Sequence, residues 1–499
     1  MADLKDSATT NAEAAAYTPS LLRRLTKSFG VYGGANFGIR GLNFLLILVY
    51  ARYLQPRDYG VIYMAEIIAA FLTIFAGLSL DSAIERLYFE HNHDREELRS
   101  FIGSVFRFGL LWMGIFLLLA LAVGSAISSH LKVLASTPFY PYIAFAIATA
   151  TASQATQFRL AVFQASSCPR SYGVLSIILA TLTAVCCFYG VVLRRGGALA
   201  MLIGKFVAAA VTLLIVAWSM RAYLAAPFRW RFVRESLSFS LPLVPHLVMA
   251  SGLVVADRFI LARYRDLSEV GIYSLAYTFG MVMYLVTQSL SQAWLPMFFT
   301  LASGDEENRR QLGRICSALA VFLAVLACFG ILLAPAFVQL SLDSRYAAAV
   351  QIIPLVVMGY LFHALFSLFD LAILQAKRTS SVFLISLIAF AANIGLNLVW
   401  VPHWGMYGAA WATALAYAVE ALGAFLLAQQ VFRLPYRKGE ILLGLAVAVV
   451  AVGLTQIWAQ KWHGLLLAGC ALPAIGLLMF AAGRDLLGSF SFIRARLAN

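Results

Sequence analysis

The chain has 499 residues, of which 62% are hydrophobic and 12% charged, with a mean hydropathy of +0.84. That much apolar surface excludes a water-soluble domain, and its occurrence in unbroken runs rather than alternating segments excludes a β-barrel. The net charge of +14 gathers in short loops beside those runs, which argues for a membrane surface and against nucleic acid as a partner.

Residues 1–20 are polar and rich in Ala and Thr, without the basic-then-apolar order of a signal peptide, and are expected to form a disordered cytoplasmic tail. A helix needs about 20 apolar residues to cross about 30 Å of hydrocarbon. On that basis about fourteen spans are predicted, at 31–51, 59–80, 102–127, 139–165, 171–192, 198–219, 238–261, 269–299, 314–341, 349–375, 381–401, 405–431, 440–459 and 463–483. Residues 221–235, with Arg221, Pro227, Arg229, Arg231 and Arg234, read as a basic cytoplasmic linker. Lys and Arg concentrate on the same side in Arg23, Arg24, Lys27, Arg309, Arg310, Arg433, Arg437 and Lys438, so both termini are predicted cytoplasmic. The six cysteines avoid the predicted exterior loops, so no disulfide framework is expected.

An internal repeat organises the spans. Arg-Leu-Ala-Val-Phe-Gln-Ala at 159–165 recurs as Asp-Leu-Ala-Ile-Leu-Gln-Ala at 370–376, an offset of 211 residues. The same offset aligns Ala51-Arg52-Tyr53 with Ala262-Arg263-Tyr264, Gly60 with Gly271, and Gly197-Ala198 with Gly408-Ala409. The first copy is assigned to 21–220, the second to 236–432, and 433–499 to two extra spans with a cytoplasmic C-terminus. Six spans is an even number, so the copies share one orientation about an axis along the membrane normal. The fold class is an all-α polytopic membrane protein, two parallel six-helix repeats followed by two further helices.

The second copy opens with Ser-Phe-Ser-Leu-Pro-Leu-Val-Pro-His at 238–246 and Asp257-Arg258-Phe259. It continues with Val-Gly-Ile-Tyr-Ser-Leu-Ala-Tyr at 270–277 and Trp-Leu-Pro at 294–296. These segments, and Ala-Arg-Tyr-Leu-Gln-Pro-Arg-Asp-Tyr-Gly at 51–60, resemble the oligosaccharide flippase (polysaccharide transport) family of the multidrug/oligosaccharidyl-lipid/polysaccharide superfamily. The resemblance implies a V-shaped, two-lobe transporter in the bacterial inner membrane. It would move a polyprenyl-diphosphate-linked oligosaccharide outward for exopolysaccharide, O-antigen or capsule synthesis. Membrane lipids, and a polysaccharide polymerase with its co-polymerase, are the expected partners.

Ionisable residues inside spans face a bundle interior or a watery cavity, because facing lipid is costly. The first copy holds Arg40, Arg107, Arg159 and Lys205 against Glu66; the second holds Arg258 against Asp257, Asp370 and Glu420. A diphosphate needs fixed positive charge, and Arg offers a planar fork to phosphate oxygens. Arg40, Arg159, Lys205 and Arg258 are therefore the candidate diphosphate ligands. Arg40 lies among Gly33, Gly34, Gly38 and Gly41, which would permit a bend or close helix approach; the competing reading pairs Arg40 with Glu66. Arg159 and Asp370 are repeat-equivalent and are expected either to form a gate or to pair within their own copies. Asp370, Glu420, Glu66 and Asp257 are candidates for the gate or for H⁺ or Na⁺ coupling, with fixed ion pairs as the alternative; no cofactor or metal is expected. Gln154, Gln157, Gln288, Gln292, Asn393 and Asn397 offer amides either to sugar hydroxyls or to neighbouring helices. His91-Asn92-His93-Asp94 reads as a solvated charge run, with a metal site as the alternative.

Two rivals remain. A multidrug or cation antiporter of the same superfamily would want an acidic first lobe. A membrane-embedded glycan polymerase or ligase would want a large exterior loop, and the predicted exterior loops are short. Neither a phosphate-binding loop nor a nucleophile elbow is present.

Overall fold

The computed structural model describes residues 38–130, 137–166, 168–302 and 306–458. The predicted tail, Gly33, Gly34, Cys470 and the span at 463–483 lie outside these residues, as do the side chains of His246 and Gln292. All regular structure among the described residues is helical. Nine of the helices there are long and apolar enough to cross a membrane.

Among the described residues the chain divides into two compact units, the first holding residues from 38 to 54 and from 64 to 252, the second those from 55 to 63 and from 253 to 458. After α1 (38–53) come α2 (Pro56–Gly77), α3 (Leu80–His91), α4 (Arg95–His130), α5 (Ala144–Ala165), α6 (Pro169–Phe188) and α7 (Gly197–Ser219). The linker follows as α8 (Arg221–Leu224) and α9 (Trp230–Ser240). Then come α10 (Leu243–Tyr264), α11 (Leu267–Ala302), α12 (Glu306–Ser341), α13 (Ala349–Gln375), α14 (Thr379–Val431) and α15 (Lys438–Trp458).

In the first unit, Leu80, Ile84 and Leu87 of α3 pack with Phe101 and Phe106 of α4, Phe158 of α5 and Phe232 of α9. The linker is thus a docked amphipathic helix: α9 buries Phe232, Val233, Ser236 and Ser240 while Arg231 and Arg234 remain exposed. Burying Phe232 alone stabilises that docking by about 2 kcal/mol. The reading of 91–94 as a solvated run is corrected at His91, which is only 6% exposed. It extends the Leu80, Ile84, Leu87 face of α3, and its ring packs 4.7 Å from Phe101 and 5.0 Å from Phe232. Nδ1 lies 3.2 Å from Glu97 and Nε2 3.4 Å from Glu235. One imidazole thereby joins α3, α4 and α9.

The duplication extends to a capping arrangement. In the first unit the backbone N–H of Arg229 donates to Ser104 Oγ at 2.9 Å, and in the second that of Arg437 donates to Ser317 Oγ at 2.9 Å. A Cβ at Gly103 would collide with the Tyr223 carbonyl, and one at Gly313 would sit 2.6 Å from that of Pro435. In each unit the chain leaving the sixth span rests on the third. A helix crossing within the second unit uses the repeat-equivalent glycines. A Cβ on Gly60 would overlap the Leu267 carbonyl, and one on Gly271 would overlap that of Pro56. Lipid tails are as apolar as side chains, so such small-residue contacts are what holds spanning helices together.

The spans predicted at 381–401 and 405–431 form α14, broken at Gly405, whose φ of 56° and ψ of −133° suit glycine.

Candidate functional site

In the first unit the predicted cations take different surroundings. Lys205 on α7 pairs with Glu66 on α2, so the expected alternative pairing of Glu66 with Arg40 is corrected. Arg40 is exposed, and Gly38 and Gly41 beside it border open space rather than a close helix crossing. Arg107 donates to the carbonyls of Gly103 and Ala226 and lies 5.5 Å from the Phe228 ring centroid, pinning the linker. Arg159 near the end of α5 has no carboxylate partner among the described residues. Its guanidinium stands 4.1 Å from the centroid of Phe163 and 5.7 Å from that of Tyr223, with Nη1 3.3 Å from Met220 Sδ. Its Nε is buried without a hydrogen-bond partner. Gln154 fills the space beside Gly77, whereas Gln157 is exposed.

The second unit gathers the acids. Asp257 on α10 is 4% exposed and Arg258 is 7% exposed. Asp257 Oδ1 accepts from the backbone and side chain of Arg258 at 2.8 and 3.0 Å, and Oδ2 accepts from Tyr273 at 2.6 Å. Arg258 also lies 4.2 Å from the Tyr277 ring centroid, so its charge is already committed. Glu420 on α14 accepts from Ser386 at 2.7 Å and lies 3.6 Å from His363 Nδ1 on α13. Tyr277, Tyr360, Tyr417 and His363 form a continuous aromatic wall, with neighbouring centroids 5.1 to 6.4 Å apart.

These groups converge on a cavity of about 30 Å³ bounded by Asp257, Tyr277, Ser386, Asn393, Thr413, Tyr417 and Glu420. Helical periodicity builds two of its walls. Ser386, Ala389, Phe390 and Asn393 recur at i, i+3, i+4 and i+7 on the first half of α14. Thr413, Ala416, Tyr417 and Glu420 repeat that spacing on the second half. Asn393 donates to Thr413 at 3.3 Å, and Asn397, fully buried, donates to the Asn393 carbonyl at 2.8 Å. A space this size holds a water molecule or a small ion and no organic molecule.

Of the predicted residues, Asp257, Arg258, Glu420, Asn393 and Asn397 are thus brought into one neighbourhood. Asp370 lies on α13 two turns beyond His363, with Oδ1 buried and without a hydrogen-bond partner among the described residues. Gln288 is half-buried on α11. Arg159 belongs to the first unit and Asp370 to the second. Sequence reasoning missed Ser386, Thr413, Tyr360 and Tyr417; the shared i, i+3, i+4, i+7 stripe at 386–393 and 413–420 was the available signal.

Comparison with known proteins fits this architecture. The lipid II flippase MurJ in an inward closed conformation superposes with a TM-score of 0.66 at 15% identity, over 94% of this chain and 99% of that one. A mutant of the Vibrio cholerae MATE transporter VcmN gives 0.56 at 15% identity, over 83% of this chain and 98% of that one. An inward-facing multidrug resistance MATE family transporter of the MOP superfamily gives 0.53 at 14% identity, over 78% and 94%. These likenesses establish a shared fold. No curated protein matches the chain. Residues 25–302, more than half of the sequence, match the family described as polysaccharide biosynthesis protein, and the chain, a multi-pass membrane protein, belongs to that family.

Proposed function

We propose that the protein flips a polyprenyl-diphosphate-linked oligosaccharide across the bacterial inner membrane, with both termini cytoplasmic, and is a transporter rather than an enzyme. The observation that carries this reading is Arg159. Lys205 is neutralised by Glu66, and Arg107 is fixed on backbone carbonyls. Among the described residues, Arg159 alone of these three has a buried guanidinium N–H left without an acceptor, above an aromatic floor and with no acidic partner. An anionic diphosphate at that place would satisfy the buried Nε–H and compensate the charge.

The second unit suits ion coupling. The carboxylate-lined cavity has room for a proton carrier or one small cation. Glu420 with His363, and Asp370, are the groups through which a H⁺ or Na⁺ gradient would act. The multidrug antiporter reading finds its best support in the same acidic, aromatic neighbourhood, but about 30 Å³ does not accommodate an organic cation.

The test is flipping of a fluorescent polyprenyl-diphosphate oligosaccharide in proteoliposomes. Wild type is expected to flip it. Arg159→Ala is expected to slow the initial rate at least about tenfold, the loss of one charge-assisted contact, with Arg159→Lys intermediate. An unchanged rate in Arg159→Ala would remove Arg159 from headgroup recognition.

A further inference from the structure

Three connections of the second unit meet at one end: residues 265–266 before α11, 342–348 between α12 and α13, and the break in α14. Two cavities open there and share Tyr407 as a common wall. One, of about 530 Å³, is bounded by Gln339, Asp343 and Gln351. The other, of about 430 Å³, is bounded by Glu269 and Trp404. Each has the volume of a small-molecule site.

The wall carrying Trp404 is held rigidly. Arg265 donates to the carbonyls of Val401, Pro402 and His403 at 3.4, 3.1 and 2.9 Å, collecting the open carbonyls of the first half of α14. Glu269 accepts from the backbone N–H of Met406 at 3.1 Å, capping the second half. Gly405 supplies the left-handed φ between them, and a Cβ there would strike the Glu269 carboxylate. Trp404, 55% exposed, stacks on Trp400 with centroids 5.3 Å apart. Across Tyr407, Arg345 hydrogen-bonds Asp343 and holds its carboxyl down to about 2, so Asp343 stays an acceptor at any physiological pH.

The repeat shows that the fold does not demand this arrangement. At the offset of 211 the first copy has Leu54 for Arg265, Asp58 for Glu269, Leu193 for Trp404 and Gly196 for Tyr407. A clamped, exposed indole beside amides and carboxylates is chemistry for a saccharide: the flat C–H face of a sugar ring lies on Trp or Tyr, while its hydroxyls both donate and accept. A membrane-interface anchor would need the indole alone.

We infer that this paired cavity around Trp404 and Tyr407 is a saccharide-binding groove on the outer face of the second unit that receives the glycan on the exit side; the orientation and the ligand class rest on the function proposed above.

The groove is tested with full-length protein in nanodiscs and a soluble probe, the oligosaccharide released by mild acid from the lipid-linked pool of the producing cells. Saturation-transfer NMR is expected to show sugar protons contacting the wild type. Trp404→Leu, which installs the first copy's residue, is expected to weaken binding at least tenfold, and Trp404→Phe to recover most of it, which excludes misfolding as the cause. No transfer to the probe, or equal affinity in Trp404→Leu, would overturn the groove. So would Trp404 emission that follows phospholipid composition and ignores the glycan. Flipping of the lipid-linked substrate is measured in parallel. Flipping without glycan binding removes the groove and leaves the transport reading standing; glycan binding without flipping removes the transport reading.

Discussion

Lys205 and Glu66 sit 139 residues apart in sequence and form an ion pair with side chains 24% and 35% exposed. Partial solvation makes the pair worth less than a fully buried one, about 1–2 kcal/mol, while removal of one partner leaves a charge without compensation. Glu66→Gln and Lys205→Met are therefore each expected to lower the unfolding midpoint in detergent, and the double variant to recover most of the loss. Additive losses in the double-mutant cycle would contradict the pairing. The costly in-span charges were legible one by one in the sequence, because apolar surroundings make each conspicuous. Their partners were not, since pairing depends on which helices become neighbours: Glu66 faces Lys205 and not Arg40. His91 was misread for the related reason that its acidic neighbours in sequence hid the apolar face it continues, Leu80 to Leu87.

At the scale of elements, apolar run length located most spans and the boundary at Gly405 that breaks α14, but neither the clamp that holds that break nor the docked linker helix. The break depends on Arg265 and Glu269, more than 130 residues upstream of the turn they clamp. The arginines and Pro227 of 221–235 mark a cytoplasmic linker without showing its helix, although Phe232, Val233, Ser236 and Ser240 already spell a buried helical face. Glycines divide sharply by setting. Gly60 and Gly271 occupy a crossing where a Cβ meets backbone oxygen, and a backbone has no rotamer with which to yield. Gly271→Leu is expected to destabilise the protein by about 3 kcal/mol and to reduce the monodisperse yield. Gly41→Ala, facing open space, is expected to be neutral or to stabilise by a few tenths of a kcal/mol. Size-exclusion profiles and thermal midpoints of the two variants would separate these cases, and equal behaviour would rule out the close crossing.

For the whole molecule, duplication supplied the scaffold and divergence the chemistry. The 211-residue offset reappears as the Gly60 and Gly271 crossing, and a matched capping of α4 and α12 accompanies it at slightly shifted positions, Ser104 and Ser317. The copies part in their charge. Among the described residues, the first unit leaves Arg159 with no carboxylate partner, and the second encloses Asp257 and Glu420 around a space suited to an ion. That polarity, anion recognition in one unit and cation coupling in the other, is the central claim. Its most direct measurement is transport by purified protein in proteoliposomes offered, side by side, a fluorescent polyprenyl-diphosphate oligosaccharide and an organic cation such as ethidium, with and without a H⁺ or Na⁺ gradient. The account predicts that the glycolipid changes leaflet, as read by a membrane-impermeant quencher, while ethidium stays at the level of protein-free vesicles. Gradient-driven ethidium movement with a stationary glycolipid would contradict it.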